Sequence, residues 1–376
     1  MPKVRNIILL LLVAGALWHF YGDTFNHSGI SGVYEDIHSD INGIKENPEV
    51  VKTIDYLNKE IKLLVGKIKG STEEGEKLNQ AVPDKPELDG PSEQPFSVHN
   101  VELNDDRAQV EQQVGPPKRS SMNEYGVNWD AYHENYHNFF MVAYNENDKV
   151  IGLYTNQDLL TSTNGISFSS TRDSVLTTLD EPLKYLQKGL VNYQIQDNKE
   201  YDMFDINNSY VTIFYDIHEN STVTAIQLIS DDLEKQRENF FTKPSELLKE
   251  GFEYQLFDLT NAARVNHNLS VLSWDESVRL TARNHSKDMA DNNYFGHLNP
   301  KGQSPFDRMT QDNITYRMAG ENLAAGQTSS IFAHEGLMNS LGHRENKLHT
   351  GFESLAVGVA FSDESQPFYT ENYLTK

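Results

Sequence analysis

Two stretches of this chain repeat the same order of elements, and that restricts what its middle third can fold into. The first copy has Val101-Glu102-Leu103, then Val110-x-x-x-Val114-Gly115-Pro116-Pro117, then the strand-like run Asn138–Tyr144, and closes with Lys149–Tyr154. The second has Ile166-Ser167-Phe168, then Val175-x-x-x-Leu179-Asp180-Glu181-Pro182, then the strand-like runs Tyr210–Asp216 and Val223–Leu228. Each unit reads as a short strand, a short helix, a Pro-bounded loop and antiparallel strands. Asn/Asp-rich turns such as Asn145-Glu146-Asn147-Asp148 join the strands. Two such units can share one sheet, so residues 101–230 are expected to form a small α+β domain. Tyr125, Trp129, Tyr132 and Tyr136 either pack its core and turns or line a groove for a partner. No catalytic constellation stands out here, and Asp231–Ser245 reads as a charged connector.

The region before the repeats has three parts. In residues 1–21, Lys3 and Arg5 flank Ile7–Phe20, which is apolar apart from Gly15 and His19. That length suits a signal-peptide core and is short for a full membrane span. Ala14-Gly15-Ala16 fits a small-x-small cleavage pattern. The segment therefore reads as a cleaved signal or as an uncleaved anchor that contacts the membrane through residues 7–20; either puts the rest outside the cytoplasm. Residues 33–69 are expected to form a helical stalk, because Val50, Ile54, Leu57, Ile61, Leu64 and Ile68 alternate steps of four and three. Such a stalk dimerises or packs back on the body. Residues 70–100 carry Pro83, Pro86, Pro91 and Pro95 among acidic residues and read as a disordered acidic linker.

Composition removes further classes. A formal charge of -23 argues against a nucleic-acid partner, since phosphates repel an acidic surface. The 376 residues include no cysteine, which excludes disulfides, a thiol nucleophile and Cys-rich zinc sites. The core alone must hold this chain, and a chain of this length can bury enough apolar surface for that.

Residues 246–376 read as a second domain. Leu248, Phe252, Leu256, Leu259 and Ala263 lie at helical spacing. A second helix should start with Asp275 as N-cap and run through Val278, Ala282 and Met289. Ser304-Pro305-Phe306-Asp307 is a helix start, and another helix is expected from about Ser329 to Leu341. Leu355, Val357, Val359 and Phe361 alternate with small residues as a strand does, and Phe368–Leu374 can pair with it. Three signatures lie among these elements: Tyr294-Phe295-Gly296-His297, Gly320-Glu321-Asn322-Leu323-Ala324, and Asn339-Ser340-Leu341-Gly342-His343-Arg344-Glu345-Asn346-Lys347-Leu348. They set imidazoles and a carboxylate beside glycines, and these groups ligate zinc or move protons.

Together with Leu256–Arg264, Leu272-Ser273-Trp274-Asp275, Ala282–Met289, Ala356–Val359 and Tyr369–Tyr373, these signatures resemble the bacterial branch of the CAP superfamily. That superfamily comprises cysteine-rich secretory proteins, antigen 5 and pathogenesis-related 1 proteins. The match covers roughly residues 247–374. The repeat region resembles the CAP-associated N-terminal domain that precedes CAP domains in some Firmicute proteins. The resemblance implies an α–β–α sandwich within an α+β chain, and a cavity lined by two histidines and two acids. His297 matches the first histidine, Glu321 the acid of the Gly-Glu-Asn signature and His343 the second histidine, with Asn322 beside them in the ligand cleft. Leu337 stands where many members have tryptophan, Ser340 stands where they have the second acid, and Glu335 is out of register. Two histidines and one acid leave a coordination position open for water; they equally suit weak, adventitious binding of a divalent cation such as zinc. His334-Glu335 is not a metalloprotease motif, because that motif needs a histidine at Met338. His267, His285 and His349 read as surface or supporting groups, and Arg344 and Asn346 as loop holders.

Three functions follow from these readings. One is an extracellular or envelope module that binds a lipid, glycan or peptide, or a protein partner, at the polar cleft. The second is a metal-dependent hydrolase using His297, Glu321 and His343. The third is a structural or regulatory envelope protein acting through the repeat domain. The missing second acid ranks binding and envelope roles above hydrolysis. Ser340 near His343 has no identifiable orienting acid, so no Ser-His-Asp arrangement is defined.

Overall fold

A computed structural model describes residues 83–195 and 198–376. The expected export segment (1–21), the stalk (33–69) and residues 70–82 of the linker lie outside the described residues. Among the described residues, no helix is long and apolar enough to cross a membrane. The first half contains β1 (Phe96–Val98), α1 (Arg107–Val114), β2 (Arg119–Met122), β3 (Asn128–Glu134), β4 (His137–Tyr144), β5 (Val150–Thr155) and β6 (Leu160–Ser162). It continues with α2 (Arg172–Thr178), β7 (Tyr185–Lys188), β8 (Val191–Gln194), β9 (Tyr201–Ile206), β10 (Ser209–Asp216), β11 (Thr222–Ser230) and α3 (Asp231–Gln236). The second half contains α4 (Glu246–Asn266), β12 (Ser273–Trp274), α5 (Glu276–Asn292), α6 (Pro305–Gln311) and β13 (Met318–Ala325). It ends with α7 (Ser330–Asn339), α8 (Leu341–Lys347), β14 (Ser354–Phe361) and β15 (Pro367–Thr375).

The two repeats share one sheet. Seven strands run in the order β2-β3-β4-β5-β11-β10-β9, and the copies meet where β5 pairs antiparallel with β11. The apolar run Phe139–Tyr144 is continuous because both faces of this sheet are covered. On one face Phe140, Val142, Leu153, Val211, Ile213 and Ile226 pack beneath Val110 of α1 and Val175 of α2. On the other, Trp129, Phe139, Met141, Tyr154, Phe214 and Ile229 pack against Leu259, Ala262 and Ile331 of the second half. The expected charged connector is partly helical: Ser230 caps α3 by accepting from Leu233 N, and Leu233 is buried.

Residues 92–100 do not form the expected disordered linker. Glu102 collects the backbone N–H groups of Ser92 (2.6 Å), Glu93 (2.8 Å) and Gln94 (2.6 Å), all from one carboxylate. Phe96 and Val98 are buried, and β1 pairs antiparallel with β6. Composition predicted disorder because few of these residues are apolar. Two buried apolar residues and one amide-gathering carboxylate outweigh that polarity.

The second half is three layers deep. A four-stranded sheet runs β12-β14-β15-β13, with β12 parallel to β14 and the other pairs antiparallel. Leu355, Val357 and Val359 face Leu248, Phe252 and Leu256 of α4 and Ala333 and Leu337 of α7. The intervening Ala356 and Ala360 face α5, where Val278 and Met289 lie. Small residues alternate here because the helix backbone comes close. A Cβ on Gly358 would lie 2.1 Å from Arg283 N and 2.2 Å from Ala282 C. Asp275 caps α5 by accepting from Ser277 N, and Ser304 and Asp307 form a reciprocal capping box on α6 with Pro305 at its first turn. The helix expected over 329–341 breaks at Ser340, where α7 ends and α8 begins.

The halves are joined through α4. Gln255 donates to Met122 O (2.9 Å), Arg119 pairs with Asp258 (2.8 Å), and Gln157 donates to Ala262 O (3.0 Å). A Cβ on Gly251 would lie 1.9 Å from Met122 O, so strand β2 lies directly on that helix. At the other end of the seam, Asn339 donates to Tyr215 O (2.9 Å) and Arg344 pairs with Asp216 (2.7 Å). Of the four aromatics considered as a groove, Trp129 and Tyr132 are buried in the sheet's two cores. Tyr136 donates to Asp258 at the seam (3.0 Å).

Candidate functional site

The site is built on the β13–β15 ladder. Its register pairs Glu321 with Asn372 and Asn322 with Glu371, so each Glu-Asn dipeptide faces the other reversed. Side chains alternate across a strand. Glu321 and Asn372 therefore point one way, and Asn322 and Glu371 the other.

On the first face, Glu321 is buried and both of its oxygens are engaged. Arg308 of α6 donates through Nη2 to Oε2 (2.7 Å) and Oε1 (3.0 Å). Asn372 donates to Oε2 (3.1 Å), and His297 Nδ1 lies 2.9 Å from Oε1. Burial alone would raise the Glu321 carboxyl. The His297 hydrogen bond and the Arg308 charge outweigh burial and hold it at about 2. An ionised carboxylate can only accept, so His297 donates this bond through Nδ1. Arg308 also donates to His297 O (2.8 Å) and Gln303 O (3.1 Å), fastening the loop that presents the histidine. That loop leaves the His297 side chain one-third exposed. Its neighbours Phe295 and Leu298 are 57% and 59% exposed.

His285 is a supporting group and not a surface one. It is buried on α5, donates through Nε2 to Gly296 O (3.1 Å) and lies 3.9 Å from Glu321. Burial pushes its imidazole down to about 4, so it is neutral near pH 7.

On the second face, Asn322 is fully buried. It donates to His343 O (3.0 Å) and Glu371 (3.0 Å) and accepts from Asn346 (2.9 Å). It ties α8 to the sheet and presents nothing to a ligand, which removes it from the expected cleft. Glu371 accepts from Lys347 (2.6 Å), whose side chain is likewise fully buried, and from Tyr373 (2.6 Å). His343 lies on α8 and its Nδ1 is 2.8 Å from Ser340 Oγ.

His297 and Glu321 are thus in direct contact, and His343 is linked to the same strand through its backbone. The donor set does not fit a resident cation. Among the described residues, no three His, Asp or Glu side chains are placed to hold a metal. The Arg308 guanidinium already neutralises Glu321 and would repel a second positive charge. Arg308 and Asn372 were missed as site residues by the sequence reading. The capping box that starts α6 at Ser304 was the available signal for Arg308, because it fixes which residues of that helix face the sheet.

Residues 257–373 match the family model described as cysteine-rich secretory protein family (CAP), and residues 103–240 match the one described as CAP-associated N-terminal. Residues 257–373 are a CAP domain. The chain is 27% identical over 289 residues to the uncharacterized membrane protein YlbC of Bacillus subtilis, a match covering 71% of this chain and 81% of that protein. Its CAP domain is 40% identical over 125 residues to the uncharacterized protein YkwD of the same organism; the match covers 33% of this chain and 48% of that one, so the chain spans about half of that relative's length. An extracellular protein containing an SCP domain from Bacillus anthracis superposes with a TM-score of 0.64 at 26% identity, covering 79% of this chain and 100% of that one. A cysteine-rich secretory protein from Staphylococcus aureus shares the fold at 13% identity, with a TM-score of 0.56 over 76% of this chain and 95% of its own. The CAP domain's α–β–α sandwich and the repeat domain before it are the α+β architecture expected from the sequence.

Proposed function

We propose that this CAP-domain protein acts outside the cytoplasm, at the cell envelope, as a binding protein whose recognition surface is the His297 loop. The location is supported by the relatives, one named a membrane protein and one an extracellular protein. The observation that carries the binding role is the pairing of a locked imidazole with exposed apolar side chains. His297 is fixed by Glu321, and Phe295 and Leu298 stand out on either side of it. Exposed apolar groups around a polar contact mark interaction surfaces. A ligand with both an apolar part and a hydrogen-bonding part fits, as in a lipid or a peptide more than a glycan.

A hydrolytic role has less support. Glu321 is saturated and cannot also activate water. The test is cosedimentation of the full-length protein with phospholipid vesicles and with cell-wall sacculi, alongside fluorescence titration with amphipathic peptides. Binding in one arm should fall about tenfold in Phe295→Ser/Leu298→Ser and in His297→Ala. Equal binding by the parent and both variants in every arm refutes the reading.

A further inference from the structure

A second site lies at the seam between the two domains, away from the His297 loop. A cavity of about 400 Å³ opens between the β9–β11 end of the sheet, the β7–β8 hairpin, and the CAP domain's 325–328 turn and α7. That volume is in the range of small-molecule sites. Elsewhere the same seam is closed by direct hydrogen bonds and a shared apolar core. The space is therefore a local departure from otherwise close packing.

Gly336 shows that the space is kept. It stands inside helix α7, where glycine is the poorest residue after proline. Close packing does not require it, because a Cβ built there meets no atom within 4 Å. Gly336 lines the cavity, so a larger residue would occupy it.

The walls carry two kinds of group. Tyr193, Tyr201, Tyr210, Phe240 and Phe332 contribute aromatic surface. Tyr193 stacks on Phe240 at 4.7 Å, and Tyr201 meets Phe332 edge-on at 5.1 Å. Gln194, Asn198, Gln227 and Gln327 contribute side-chain amides, and Thr212 and Thr328 hydroxyls. The ionisable wall residues are Glu200, Glu234, Glu335 and Arg237, and Arg237 lies 3.7 Å from Glu234, which also holds Lys188.

We propose that this seam cavity binds a short neutral saccharide of one or two rings. A sugar ring presents an apolar C–H face to aromatic side chains and hydroxyl or acetamido groups to amides. It brings no negative charge to oppose the wall carboxyls Glu200, Glu234 and Glu335. A nucleotide or other polyanion would find one guanidinium, already paired.

The experiment is calorimetric titration of the full-length protein with N,N′-diacetylchitobiose and, separately, with apolar tripeptides. The parent should bind the disaccharide. Gly336→Leu, which fills the space, should weaken that binding at least about tenfold while leaving the thermal midpoint unchanged or higher. Gly336→Ala improves the helix with little filling and should retain most of the binding, which separates the two effects. The proposal is overturned if the parent binds no disaccharide, if Gly336→Leu binds it as the parent does, or if the tripeptides bind in its place.

Discussion

Glu321→Gln should remove about 3 kcal/mol of stability at neutral pH, and the loss should shrink in acid. The folded carboxyl is held at about 2 against an ordinary value of 4.5, a difference equivalent to about 3 kcal/mol. Its side chain is 2% exposed, so solvent screening takes little of that. The sign follows from linkage. A depressed folded value means the contribution is complete above 4.5 and is lost as pH falls from there through about 2. At pH 3 less than half of it, ~1.4 kcal/mol, should remain. Breaking a buried pair by removing one partner costs a similar ~3–5 kcal/mol, because Arg308 is left uncompensated. The assay is urea unfolding of parent and variant at pH 7 and pH 3. A second variant, Arg308→Met/Glu321→Gln, should lose less than the sum of its single changes, because the two residues act as one pair. A parent–variant gap below ~1 kcal/mol at pH 7, or an equal gap at both pH values, refutes the assignment of Glu321 as a charged anchor.

Three further outcomes are expected. Gly358→Ala puts a methyl 2.1 Å from Arg283 N, so α5 must shift away; overpacking of this kind costs ~1–3 kcal/mol, and an unchanged melting temperature contradicts the three-layer register. Glu102→Ala removes the acceptor of three backbone amides, so limited proteolysis should cut near residues 92–95 in the variant while that segment resists in the parent; equal resistance contradicts the anchoring role. Zinc titration at neutral pH should show no saturable site that depends on these histidines, whereas a stoichiometric site lost in both His297→Ala and His343→Ala restores the cation reading.

What the sequence disclosed, and what it hid, divides by range. The alternation at Leu355–Phe361, the Ser304 cap and the Asp275 cap are local patterns, and the structure has strand β14 and two capped helices there. Glu321 and His297 could be nominated from short signatures. Their partners could not: Arg308 and Asn372 reach Glu321 from 13 and 51 positions away. Asn322 illustrates the converse error. Its signature resembles a cleft motif, but strand alternation turns its side chain to the opposite face from Glu321. The residues 92–100 were misjudged because composition counts apolar residues and does not see Glu102 gathering amides. The seam was invisible for the same reason of range, since Gln157 and Ala262 stand 105 positions apart.

The core shared across that seam also sets an order of events in time. Synthesis delivers the chain from its N-terminus, and N-terminal domains tend to fold first. Here the repeat domain emerges with one face of its sheet covered by its own α1 and α2, and the other met by its own helices only at Leu233 of α3. The face bearing Trp129, Phe139 and Phe214 is covered by residues from Leu259 to Phe332, which arrive later. Until then it is a wet apolar surface, open to wrong partners. The last hydrogen bonds of the seam need Asn339 and Arg344, close to the end of the chain. The first domain therefore waits, half-clad, for the second, and anything that stalls synthesis between residues 240 and 330 prolongs its exposure.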